Sequence, residues 1–152
     1  MLSTSIKSYL DNHNISYKTV SHPRAYTALQ CAQAAHIKGG NFAKSVVVKL
    51  DGKFVLVEIP AHLRLDLDEF KKETRAKDAE IAHEYEFQDK FSDCEIGAIP
   101  LLGELYGMDV YLADSLAHQE WLAFNAGNHN ELLKINSKDF LALVHPKTLS
   151  YC

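Results

Sequence analysis

Lys44 is the first residue whose type and position could do chemistry. It lies near the start of Ala43-Lys44-Ser45-Val46-Val47-Val48-Lys49-Leu50, a run of strand-forming composition. Strand side chains alternate, so Lys44 shares a face with Val46, Val48 and Leu50, while Ser45, Val47 and Lys49 share the other. An ammonium on the more apolar face can point into a pocket, where low dielectric strengthens its hold on an anion or a polarised oxygen. The alternative is an amine that runs past the strand end into water. The segment Gly40-Asn41-Phe42-Ala43-Lys44-Ser45 superficially matches a phosphate loop. However, Ala43 stands where glycine is required, and a strand rather than a helix follows Ser45, so nucleoside triphosphate binding is rejected.

Glu95-Ile96-Gly97-Ala98-Ile99-Pro100-Leu101-Leu102-Gly103 is the second candidate. Gly97 allows close backbone approach, Pro100 stiffens the chain and removes one donor, and the remaining amides of Gly97, Ala98 and Ile99 could face a carbonyl oxygen as an oxyanion hole does. An ordinary strand-to-helix turn would have the same composition. Ala126-Gly127-Asn128-His129 is the third, where Gly127-Asn128 suits a hairpin turn and His129 could sit at a pocket rim as donor, acceptor or size gate.

Other chemistries find little support. The eight histidines include no His-x-His or His-Glu-x-x-His pair, and Cys31, Cys94 and Cys152 lie about 60 residues apart, so neither a metal site nor a cofactor is expected. Asp93 and Glu95 flank Cys94 and disfavour its thiolate. No serine occupies a Gly-x-Ser-x-Gly elbow.

Local patterns predict the elements that must position these groups. A short amphipathic helix around Ile6 and Leu10 precedes a strand over Ile15–Val20 and a helix over Thr27–His36, stopped by Gly39-Gly40. Asp51-Gly52 between Ala43–Leu50 and Lys53–Ile59 predicts a tight hairpin. A helix capped by Asp66 or Asp68, a short strand at Ala79–Ala82 and a polar helix over His83–Phe91 follow. Strands are expected at Met108–Leu112, Glu120–Phe124 and Glu131–Ile135, then a helix capped by Ser137. Strands in adjacent runs indicate a mixed α/β (α+β) fold: a curled, largely antiparallel mixed sheet, barrel-like, flanked by helices.

Composition bounds the function. The chain has 152 residues, 47% of them hydrophobic and 24% charged, which indicates one domain spanning 1–152. Apolar runs such as Val46–Val48 and Ile99–Leu102 are far short of the roughly 20 residues a membrane helix needs. The N-terminus lacks signal-peptide character, and the unpaired cysteine count fits a reducing compartment, so a cytoplasmic location is expected. A net charge of −4 argues against general polyanion binding. The one basic cluster, Lys71, Lys72, Arg75 and Lys77, is diluted by Glu69, Glu73 and Asp78.

Phe42-Ala43-Lys44-Ser45-Val46-Val47-Val48, the Asp51-Gly52 hairpin, Ile59-Pro60-Ala61, Gly97-Ala98-Ile99-Pro100 and Ala126-Gly127-Asn128-His129 together resemble the YbaK/ProX family of aminoacyl-tRNA deacylases, the prolyl-tRNA synthetase-associated editing domain. The resemblance spans about Ile15 to Leu143. It implies hydrolysis of the ester joining a wrong, small amino acid to tRNA. Lys44 would position the substrate's 3′ end, the Gly97–Pro100 loop would wrap the aminoacyl carbonyl, and Gly127 and His129 would line the aminoacyl pocket. It further implies that the terminal ribose's free hydroxyl helps activate the water, so that no protein base is needed. The partners implied are the acceptor end of aminoacyl-tRNA and a synthetase. One departure concerns Pro100-Leu101-Leu102-Gly103, since many relatives place the second glycine one residue nearer the proline. A non-catalytic module binding tRNA ends or a synthetase is the alternative reading.

Overall fold

The computed structural model describes residues 4–95 and 98–150. Helix α1 (Thr4–Asn12) buries Ile6 and Leu10, one turn apart on one face. After β1 (Tyr17–Ser21), α2 (Ala28–Ala34) opens with a capping box: Thr27 Oγ1 accepts from Gln30 N–H at 3.1 Å, and Gln30 Oε1 accepts from Thr27 N–H at 3.3 Å. The hairpin β2 (Ala43–Leu50) and β3 (Lys53–Pro60) turns at Asp51 (φ 49°) and Gly52 (φ 85°), the pair of positive angles expected from Asp-Gly. Asp51 Oδ1 accepts from Lys77 and Asp78 N–H at 3.0 and 2.8 Å, which docks β4 (Ala79–Ile81) beside β2. Asp66 caps α3 (Leu67–Thr74), which buries Phe70.

The helix expected over His83–Phe91 is instead broken, with α4 (Glu84–Phe87) giving way to a 3₁₀ turn over Gln88–Phe91. The break lets Phe87 and Phe91 meet edge-to-face, ring centres 6.0 Å apart. A further 3₁₀ turn (Gly103–Tyr106) leads to β5 (Asp109–Ala113), the single-turn α5 (Asp114–Ala117), β6 (Trp121–Asn125) and β7 (Glu131–Asn136). Last come α6 (Ser137–Val144) and β8 (Lys147–Leu149). The cap of α6 is Asn136, accepting from Lys138 N–H at 2.9 Å, rather than Ser137.

The strands form two sheets. One is antiparallel, in the order β1-β7-β6; the other is mixed, in the order β4-β2-β3-β5-β8, with β5 parallel to both neighbours. The expected mixed α/β class stands, but the barrel-like expectation does not, because neither sheet closes. The sheets touch through a bridge between Phe42 and Ala123, with Ala123 N–H donating to Asn41 O at 2.9 Å. The main core lies between them and includes Leu10, Phe70, Leu112, Phe124, Leu133 and Phe140. A second cluster with Val47, Leu56, Phe91, Ile99 and Val110 covers the opposite face of the mixed sheet, and a third packs α2 against Phe42 and Ala123. Among the described residues, no helix is long and apolar enough to cross a membrane.

Candidate functional site

Lys44 stands second in β2, opposite Ile59 of β3. It is half-buried and has no hydrogen-bond or ion-pair partner among the described residues. Burial, and secondarily the positive charge of Arg64, lower the pKa of its amine below the ordinary lysine value. Arg64 belongs to the segment after β3, which folds back on the head of β2 through Ala61 N–H to Phe42 O at 2.8 Å. A second positive charge acting on the Lys44 amine favours an anion from outside. Arg64 was not singled out by its sequence context, because an arginine between Leu63 and Leu65 looks like ordinary surface.

The loop candidate is buried at Ala98, Ile99 and Pro100. Gly97, expected at its centre, lies outside the described residues. Glu95 N–H donates to Gly127 O at 2.7 Å, and Gly127 N–H donates to Ala98 O at 3.0 Å, so the loop grips the Gly127 peptide from both sides. Ala98 N–H is committed to Glu95 O at 3.1 Å and Pro100 has no N–H. Within Ala98–Pro100 this leaves Ile99 N–H as the donor without a partner among the described residues. On its other flank the loop is fastened to β2, where Ser45 Oγ lies 3.3 Å from Ile99 O. Ser45 also lies 2.8 Å from Oε2 of Glu58, which is wholly buried directly across the hairpin and was not anticipated. Its only sequence signal is an acid inside the otherwise apolar Val55–Pro60.

The β6–β7 connection is longer than the two-residue turn suggested by Gly127-Asn128, running from Ala126 to Asn130 and folding inward. Asn128 Oδ1 accepts from Asn130 N–H at 3.0 Å, and the His129 carbonyl accepts from Ala25 N–H at 3.0 Å. Gly127 has φ 95°, and a Cβ there would meet Ile6 Cδ1 at 3.3 Å and Cys94 Sγ at 3.4 Å. The glycine is therefore required by conformation and by the close approach of the loop. The buried His129 ring packs against Tyr26, with centres 4.9 Å apart, and its Nε2 is 3.8 Å from Glu95 Oε2. Arg24 pairs with Glu95 and holds its carboxyl below the usual carboxylate range.

The structure thus brings together Ala98, Ile99, Pro100, Gly127 and His129. Lys44 adjoins Ser45, which holds the loop, but the two side chains project from opposite faces of β2, and among the described residues no hydrogen bond joins the Lys44 amine to the loop or to His129. Cys94 is no nucleophile: burial first, and the Asp93 charge after it, push its thiol up to about 12. Burial thus outweighs the acidic neighbour that the sequence emphasised.

Residues 22–143 match the family model of the aminoacyl-tRNA editing domain, and the chain belongs to that family. No curated protein matches it. Among solved structures, it is similar to a proposed trans-editing enzyme for prolyl tRNA synthetase, at 23% identity and a TM-score of 0.83, covering 99% of this chain and 98% of that one. A scaffold protein designed by epitope backbone grafting aligns at 22% identity and a TM-score of 0.81, over 98% and 97% of the two chains. A proposed signal transduction protein from Marinobacter aquaeolei VT8 aligns at 16% identity and a TM-score of 0.79, over 99% of this chain but 30% of that one. At these identities the likenesses establish the fold.

Proposed function

We propose that the chain is an aminoacyl-tRNA deacylase that hydrolyses the ester of tRNA mischarged with a small amino acid. The observations carrying this reading are the Ala98–Pro100 loop, fixed between Gly127 and Ser45, and a desolvated lysine at the head of the same strand, its side chain on the other face of β2 from Ser45. Lys44, with Arg64 beside it, takes the negative 3′-terminal nucleotide. Ile99 N–H is assigned to the aminoacyl carbonyl, a role the family resemblance implies for Gly97 as well, and Gly127 and His129 bound the side-chain pocket. Water adds to the ester carbonyl, the bond to the ribose oxygen breaks, and that oxygen takes up the proton. The terminal ribose's free hydroxyl orients the water, as the family resemblance implies, so the protein contributes positioning and electrostatics.

The division of labour is physically sensible. A synthetase pocket separates substrates differing by one methylene by only about 1–3 kcal/mol, so a second, hydrolytic site raises accuracy. One well-placed oxyanion donor contributes about 3–4 kcal/mol to the transition state, enough to make a small rigid site effective. The similarity to a protein described as acting for prolyl tRNA synthetase supports a synthetase as the source of the mischarged tRNA and as a partner. The test is hydrolysis across a panel of aminoacyl-tRNAs, with Lys44→Ala as control. Turnover of a subset bearing small amino acids, abolished by Lys44→Ala, is expected. Protection of the ester by stoichiometric protein would instead identify a binding module.

A further inference from the structure

Among the described residues, Glu58 is the only carboxylate side chain buried from solvent, and the mechanism above does not use it. Its surroundings pose a proton-counting problem. Ser45 Oγ is 2.8 Å from Glu58 Oε2 and 3.3 Å from Ile99 O, yet a serine hydroxyl has one hydrogen and cannot donate to both. Glu58 Oε1 is buried with no hydrogen-bond partner. An ionised Glu58 would draw the serine hydrogen to itself, deprive the Ile99 carbonyl of its donor, and bury a charge with an oxygen unserved. A neutral Glu58 removes the buried charge and restores the Ile99 donor, because its own O–H donates to Ser45 Oγ and frees the serine hydrogen for Ile99; Oε1 then remains as an uncharged carbonyl oxygen, which costs far less to leave unserved than a carboxylate. Burial pushes the Glu58 carboxyl well above the usual range, against the opposing pull of Ser45, which agrees with the count.

We propose that Glu58 is a positioning residue of the editing site, a neutral acid that heads a donor chain from Oε2–H to Ser45 Oγ–H to the Ile99 carbonyl and so holds the Ala98–Pro100 loop against β2. Gly127 anchors the loop on one flank and this chain anchors it on the other. Ile99 carries both the clamped carbonyl and the amide assigned to the substrate, so loss of the clamp misdirects that donor. The effect on turnover rests on the deacylase reading; the clamp itself does not.

Three variants of the full chain test it: Glu58→Gln, Glu58→Leu and Ser45→Ala. The glutamine amide can still donate to Ser45, so Glu58→Gln should keep kcat within about threefold of wild type. Ser45→Ala and Glu58→Leu should lower kcat about tenfold, the rate equivalent of one neutral hydrogen bond, with KM nearly constant. Independently of activity, amide hydrogen exchange across residues 98–102 should be slow in wild type and Glu58→Gln and faster in Ser45→Ala. Loss of kcat in Glu58→Gln as deep as in Glu58→Leu would show that the carboxylate charge is needed and overturn the proposal. Equal loop exchange in wild type and Ser45→Ala would overturn it as well. If the wild type hydrolyses no aminoacyl-tRNA, the functional reading fails while the exchange comparison still decides the clamp. If Glu58→Leu does not fold, Ser45→Ala and Glu58→Gln decide it between them.

Discussion

Gly127→Ala offers a quantitative test because Gly52 supplies an internal control. Both glycines have positive φ, 95° and 85°, so an alanine at either incurs the left-handed backbone cost of about 1–2 kcal/mol. A Cβ on Gly52 meets nothing within 4 Å, whereas one on Gly127 presses Ile6 Cδ1 and Cys94 Sγ at 3.3 and 3.4 Å. Tight contacts of that kind add about another 1 kcal/mol. At roughly 2–4 °C per kcal/mol for a chain of this size, Gly52→Ala should lower Tm by about 2–8 °C and Gly127→Ala by about 4–12 °C. The larger difference is in function. Displacing residue 127 disturbs both hydrogen bonds that grip the loop, so deacylation should fall about tenfold or more, while Gly52→Ala retains it. Thermal melts and single-turnover deacylation on the same preparations provide the comparison. Equal losses of activity in the two variants would refute the claim that Gly127 orients the loop.

Other outcomes follow from the site. Lys44→Met should reduce deacylation by about a hundredfold or more while leaving Tm no lower than wild type, since it removes a desolvated cation that feels the charge of Arg64; a melt showing a clear loss would contradict this. Because the lysine acts protonated and its pKa is lowered, kcat/KM should decline with rising pH before an ordinary lysine would titrate, and Lys44→Arg, if active, should move that limb upward. The same depression makes the native state gain stability relative to the unfolded chain as pH rises through the lowered value, because the unfolded lysine still holds its proton there. His129→Ala should change which amino acids are removed rather than abolish turnover, as read from the aminoacyl-tRNA panel. Arg24→Ala should leave the denaturant midpoint close to that of wild type, since its pair with Glu95 is largely exposed.

Much of this architecture is legible locally. Asp51-Gly52 marks its hairpin because only that kind of dipeptide readily takes two positive φ angles, and Asp66 marks α3 because its side chain reaches Glu69 N–H. What escapes is non-local. Strand β8 is recognisable only beside β5, and the division into two sheets depends on β1 pairing with β7 rather than with the central hairpin. A barrel-like sheet was a reasonable reading of many short strands, but strand count says nothing of which edges meet. At the site, Lys44 and Gly127 stand out by residue type and setting. Arg64 and Glu58 do not, because a lone charge in sequence reveals neither a facing cation nor total burial.

The loop over Ala98–Pro100 spans a seam, being stitched to Gly127 in the β6–β7 connection on one side and to Ser45 of the mixed sheet on the other, while the two sheets meet edgewise at Phe42 and Ala123. The position of the loop therefore depends on how the two sheets pack against each other. On the deacylase reading, repacking the apolar layer around Phe124 and Phe140 would shift the loop from a distance and retune the amino acid removed while every residue of the loop stays the same.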